Sequence, residues 1–123
     1  LLTDTAYEKV TAPEDLLKKL SVLGPKQIVI TGIQIGTSLR NLIWDHGTIS
    51  YYEAPIQGES RPGTGDLFAS ILAACAVRGI SFTKSVQIAA DFVGKCTNAS
   101  HEAGIPVKEG VCFEYFLSDL MTI

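Results

Sequence analysis

The stretch Arg61-Pro62-Gly63-Thr64-Gly65-Asp66-Leu67-Phe68 sets two glycines within three residues, directly ahead of a long apolar run. Glycine lets the backbone turn tightly and come close to a ligand. If the apolar run is a helix, the unpaired amides of its first turn and the positive end of its dipole make an anion site. Phosphoryl transfer needs donors aimed at the oxygens where charge collects. Asp66 falls in that same turn, within reach of whatever the amides hold, and could accept the proton of an attacking hydroxyl. A plain structural reading also exists, in which a threonine caps the helix and Asp66 only complements its dipole. Residue types alone weigh the two readings about equally.

The elements that must position these residues are legible in outline. Thr11-Ala12-Pro13-Glu14-Asp15 is a helix start, with a capping Thr, Pro in the first turn and acids near the positive end of the dipole. Leu16, Leu17, Leu20 and Leu23 follow at helical spacing until Gly24-Pro25 ends the segment. Gln27-Ile28-Val29-Ile30-Thr31 is a β-branched run directly after a helix, the pattern of a buried parallel strand. Residues 32–38 read as a glycine-containing loop. Residues 39–44 and 48–53 flank Asp45-His46-Gly47 and read as an antiparallel hairpin. A polar loop carrying two prolines and two glycines then leads into the motif. Residues 64–77 are apolar nearly all round, which predicts a helix buried on most sides. Ser81 caps a further helix running to about Ala103, closed by Gly104 and Pro106, and residues 109–121 predict a last helix. Residues 1–9 read as a helix end and a loop. This order suits one layered α/β unit.

Composition narrows the function. The chain has 123 residues, 46% hydrophobic and 19% charged, enough for the core of one compact domain. Its net charge is −3 with no basic stripe, which argues against a nucleic-acid partner. No apolar run is long enough to span a bilayer, and the start is no signal peptide. Cys75, Cys96 and Cys112 are widely spaced, with no zinc or disulfide pattern, as expected of a reduced cytoplasmic protein. His46 and His101 lack metal spacing and read as solvated. On the hairpin, one of Tyr51 and Tyr52 is expected to pack and the other to face solvent. Walker A, G-x-S-x-G and HExxH patterns are absent.

Pro62-Gly63-Thr64-Gly65-Asp66-Leu67-Phe68-Ala69 resembles the C-terminal signature of the ribokinase superfamily, G-[AT]-G-D-x-F. The threonine form followed by Leu-Phe-Ala is similar to pyridoxal and pyridoxamine kinases. Sugar kinases more often read Gly-Ala-Gly-Asp, and hydroxymethylpyrimidine kinases usually carry Cys where this chain has Asp66. Val29-Ile30-Thr31-Gly32 also resembles the strand end that faces the ATP phosphates in those kinases.

The resemblance implies the C-terminal half of a three-layer α/β/α fold, with a parallel strand, an antiparallel hairpin and flanking helices. Residues 1–123 would form one nucleotide-binding portion, and the chain's opening on two leucines suggests a fragment lacking the substrate and metal half. The implied activity is ATP-dependent phosphorylation of the 5′-hydroxymethyl group of pyridoxal, pyridoxamine or pyridoxine, in vitamin B6 salvage. Asp66 would be the catalytic base, and Gly63, Thr64 and Gly65 the anion hole. Thr31, Gly32, Ile56, Pro62 and Asn98 would border ATP. Mg²⁺ would be held mostly by residues outside this chain, and related kinases are often homodimers. The competing expectations are a hydroxymethylpyrimidine or sugar kinase, and a nucleotide-binding fragment without turnover.

Overall fold

The computed structural model describes residues 13–56 and 58–122. They form two compact units that divide after Glu53. In the first, helix α1 (Pro13–Val22) is followed by strands β1 (Gln27–Ile35), β2 (Ser38–Asp45) and β3 (Thr48–Pro55). The second holds helices α2 (Thr64–Val77) and α3 (Phe82–Glu102), then 3₁₀ turns at Val107–Glu109 and Glu114–Thr122.

Helix α1 carries Glu14 and Asp15 in its first turn and buries Leu17 completely. Leu16 and Leu20 are half-buried, whereas Leu23, expected on the same face, lies beyond the helix end and is exposed. The expected cap at Thr11 and the segment 1–9 fall outside the described residues.

The three strands form one sheet in the order β1-β2-β3. The strand expected over residues 27–31 continues to Ile35, and the expected 32–38 loop shrinks to a turn at residues 36–37. Gly32 is the reason for the difference. Between the pairs Ile30↔Leu42 and Ile33↔Arg40 the register shifts, so Thr31 and Gly32 together oppose Asn41. This is a β-bulge, and Gly32 supplies its left-handed backbone at φ 71°. A glycine that reads as a loop residue is thus a strand residue with an extra step.

Because so short a turn returns the chain alongside itself, β1 pairs antiparallel with β2. Among the described residues β1 pairs only with β2, so the parallel neighbour expected for it is not among them. The hairpin of β2 and β3 forms as expected. Its turn residues His46 and Gly47 both have positive φ (49° and 93°), as a type I′ turn requires.

Arg40 Nε donates to Glu53 Oε1 at 2.7 Å, and its guanidinium lies 4.2 Å from the centre of the Tyr51 ring. Tyr51 is exposed and Tyr52 half-buried, in line with the alternation. His46 is exposed but not simply solvated. Its Nδ1 sits 2.8 Å from Asp45 Oδ1, to which Gln27 Nε2 also donates at 3.1 Å. These hydrogen bonds, His46 first, hold the Asp45 carboxyl below the usual carboxylate range.

In the second unit α2 and α3 pack together. Phe68, Ile71 and Cys75 form one buried stripe on α2, set against Val86, Ala89, Phe92 and Cys96 of α3. The expectation that α2 is buried on most sides is corrected, since Ala69, Ala73, Ala74 and Ala76 are exposed and Val77 is 89% exposed. Apolar composition states what a helix can tolerate, not what surrounds it.

Ser81 caps α3 by accepting from the Lys84 amide. At the other end the Ile105 amide returns to the Ser100 carbonyl and the Gly104 amide to that of His101, a Schellman close. The expected last helix is not an α-helix. Gly110 breaks it (φ 77°, ψ −145°), and Cys112 is tied by its amide to Ser100 Oγ at 2.9 Å. The 3₁₀ turns beyond are held to α3 by a Lys95–Asp119 ion pair and by Lys95 lying 4.7 Å from the Phe116 ring centre. No helix among the described residues is long and apolar enough to cross a membrane.

All three cysteines are free thiols. Burial pushes the Cys96 thiol up to about 11. Because that value lies above the 9.0 of a free thiol, the protonated form stabilises the fold below pH 9 and the contribution is lost as pH rises through 11. The melting midpoint should therefore fall more steeply over this window in the parent than in Cys96→Ala. Parallel slopes in a pH series of thermal melts would contradict it.

Candidate active site

The motif identified from the sequence lies at the mouth of α2. Gly63 is the residue that opens the helix, with φ 88° and ψ −10°, a backbone that favours glycine. The first helical bond runs from the Leu67 amide to the Gly63 carbonyl at 3.0 Å. The amides of Thr64, Gly65 and Asp66 precede it and have no intrahelical acceptor.

No side chain caps them. Thr64 does not serve as a cap, because its hydroxyl donates backwards to the Arg61 carbonyl at 3.1 Å. The plain reading of the motif as a threonine-capped helix is therefore not what forms. Asp66 is exposed, and its carboxylate has no hydrogen-bond or ion-pair partner among the described residues, although its backbone carbonyl accepts from Ser70 Oγ at 2.8 Å.

The space around the turn is open. A Cβ placed on Gly63 or Gly65 would meet nothing within 4 Å. Gly65 also lies outside the left-handed region, so neither backbone strain nor crowding in this chain calls for glycine there. An alanine would be favoured at that helical position by about 0.5–1 kcal/mol. What a glycine at 65 provides is bare amide surface for something outside the described residues to approach.

The turn is held from behind by Arg61, which the sequence reading passed over. Arg61 is 4% exposed. Its guanidinium donates to the carbonyls of Ile105 (2.8 Å), Gly110 (2.8 Å) and Pro106 (3.3 Å). Pro62 lies against the same segment, since a Cβ on Gly110 would come within 3.2 Å of the Pro62 carbonyl oxygen. Nothing local in the sequence signals this pairing, because the partners lie 44 to 49 positions away.

The other expected site residues are placed as follows. Ile56 is 38% exposed and Pro62 is exposed on the loop leading to the turn. Asn98 is half-buried on α3, with Nδ2 3.4 Å from Glu102 Oε1. The loop reaches the same stretch of α3, for a Cβ on Gly58 would fall 2.9 Å from His101 Cβ and 3.2 Å from the Thr97 carbonyl oxygen. Loop and helix are thus brought together beside Asn98. Thr31 and Gly32 belong to the first unit, where they form the exposed bulge of β1. Among the described residues no group of three or more His, Cys, Asp or Glu side chains could hold a metal ion.

Residues 1–110 match the family model described as phosphomethylpyrimidine kinase. The chain belongs to that family.

Solved structures carry the same fold. Pyridoxal kinase from Lactobacillus plantarum superposes with a TM-score of 0.86 at 21% identity, over 98% of this chain and 45% of its own. A protein from Bacteroides thetaiotaomicron assigned as a phosphomethylpyrimidine kinase, crystallised with pyridoxal, gives 0.82 at 23%, again over 98% and 45%. Pyridoxal kinase from Entamoeba histolytica gives 0.68 at 19%, over 96% and 40%. The chain therefore spans less than half the length of these structures. No curated protein matches the sequence. The mixed α/β architecture expected from the sequence is shared with these kinases, and the described residues contain helices and a three-stranded antiparallel sheet.

The close seating of Gly58 yields a stability prediction. Gly58→Ala places a methyl group against His101 at a position with φ +73°, and should cost about 1–3 kcal/mol. A denaturant melt of the variant that overlays the parent would contradict the packing of this loop on α3.

Proposed function

We propose that this chain is the phosphate-handling portion of an ATP-dependent kinase that phosphorylates the 5′-hydroxymethyl group of vitamin B6, namely pyridoxal, pyridoxamine or pyridoxine. The observation that carries this reading is the uncapped first turn of α2, with open space at both glycines and a free carboxylate beside them. Family membership supports phosphoryl transfer to a small alcohol. Asp66, in a position where the pyrimidine kinases usually carry Cys, supports the vitamin B6 branch.

In this reading the amides of Thr64, Gly65 and Asp66 bind the transferred phosphoryl group, where negative charge gathers as the bond to the leaving ADP breaks. The alcohol oxygen forms the new P–O bond, and its proton passes to the Asp66 carboxylate. The loop from Ile56 to Pro62 and the turn of α3 bearing Asn98 border the nucleotide base. Mg²⁺, when bound with ATP, would neutralise phosphate charge, held mostly by residues outside this chain. The setting is vitamin B6 salvage in the cytoplasm, with the chain as the C-terminal portion of a longer kinase that can form a homodimer.

A second reading, nucleotide binding without turnover, is favoured by the coverage of only 40–45% of the related kinases. Substrate positioning and metal binding contribute much of a kinase's rate, and a portion lacking them would retain affinity while losing turnover. Calorimetry with ATP-Mg²⁺, run beside an assay for pyridoxal 5′-phosphate, separates the two. Binding with product supports the first reading, binding without product the second, and no binding refutes both.

Two substitutions test the site itself. Gly65→Ala should leave the fold as stable as before, or up to about 1 kcal/mol more stable, because the residue is helical and uncrowded. The same change should weaken ATP binding by roughly tenfold or more. Asp66→Ala, in a chain that turns over, should lower kcat by about 10²–10⁴-fold with little change in ATP affinity. Near-normal turnover of Asp66→Ala would remove Asp66 from the role of base.

A further inference from the structure

We propose that Arg61 is a positioning residue for the phosphate turn, setting the first turn of α2 from behind and adding a buried positive charge to its field. The proposal deepens the reading of that turn as a phosphate site and rests on it.

The argument starts from an imbalance. Arg61 is 4% exposed, and a guanidinium keeps its charge under all ordinary conditions. Its partners are the carbonyls of Ile105, Pro106 and Gly110; no carboxylate pairs with it among the described residues. Its Nε is buried with no hydrogen-bond partner among the described residues. Carbonyl dipoles satisfy donors without cancelling the charge, so a net cation remains inside the unit. A fold that needed only a staple would gain by an apolar side chain of similar volume, since buried charge is costly and its replacement is often neutral or stabilising.

The position of the charge supplies the reason to keep it. Arg61 lies two residues before the helix-opening Gly63, and its own carbonyl accepts the Thr64 hydroxyl at 3.1 Å. The side chain is therefore anchored in residues 105–110 while the backbone of the same residue grips the first turn of α2. Arg61 is the link through which the irregular segment after α3 fixes where the free amides point. Its uncancelled charge also favours any anion that they hold.

The test is calorimetric titration of the chain with sodium triphosphate, at a temperature well below the melting midpoint of each variant. Arg61→Met, folded by circular dichroism, is expected to bind triphosphate roughly tenfold or more weakly than the parent. Arg61→Lys keeps the charge without the planar fork, and is expected to recover only part of that loss. Parent-like affinity in a folded Arg61→Met reduces Arg61 to a structural staple and overturns the proposal. Failure of the parent itself to bind triphosphate refutes the phosphate reading instead, so the two failures are distinguishable. Should Arg61→Met not fold, nitrogen-15 spectra of the parent decide. The Arg61 Nε–H resonance is expected to shift in step with triphosphate saturation, and an unmoved resonance overturns the proposal.

Discussion

Free backbone amides at the start of a helix must find a partner, and in α2 no side chain among the described residues caps them. Helix α3 follows the ordinary rule. Ser81 caps α3, and the Schellman bonds of Gly104 and Ile105 close its far end. At the mouth of α2 the hydroxyl of Thr64 turns away to the Arg61 carbonyl. The features around it keep the turn open: a left-handed Gly63, a bare Gly65 and a loop drawn back by Arg61 onto residues 105–110. Leaving such groups unsatisfied costs stability unless water or a ligand meets them. An oxyanion is the ligand that their geometry and dipole suit best.

Local rules made much of this legible. The bounds of α2 and α3 and the β2–β3 hairpin follow from caps, glycine stops and alternation, and the structure places them close to where those signals fall. In β1 and in residues 109–121 a local signal is overridden by pairing at a distance. Gly32 looks like a loop residue until Asn41 is seen opposite the bulge. Residues 109–121 have a helical apolar pattern, yet Gly110 and the tie from Cys112 to Ser100 prevent an α-helix. The apolar composition of α2 signalled burial on most sides, but α3 covers only one stripe of it.

The candidate site was legible in its chemistry and not in its support. Gly63, Thr64, Gly65 and Asp66 stand together because they are adjacent in sequence, and any helix beginning there brings them to one turn. Arg61 and Gly58 act through contacts far along the chain, with residues 105–110 and with Thr97 and His101, and no spacing rule reaches that distance. The match to the phosphomethylpyrimidine kinase family agrees with the local motif, and the related structures agree in fold. Those structures are more than twice as long as this chain.

The central claim is that the open amides of the α2 turn receive phosphate. It is tested most directly by following the backbone amide resonances of Thr64, Gly65 and Asp66 in nitrogen-15-labelled protein as ATP-Mg²⁺ is added. The account predicts that these three move together and saturate, while the amides at the capped start of α3 stay in place. Resonances at the α2 turn that remain fixed through a saturating titration would contradict it.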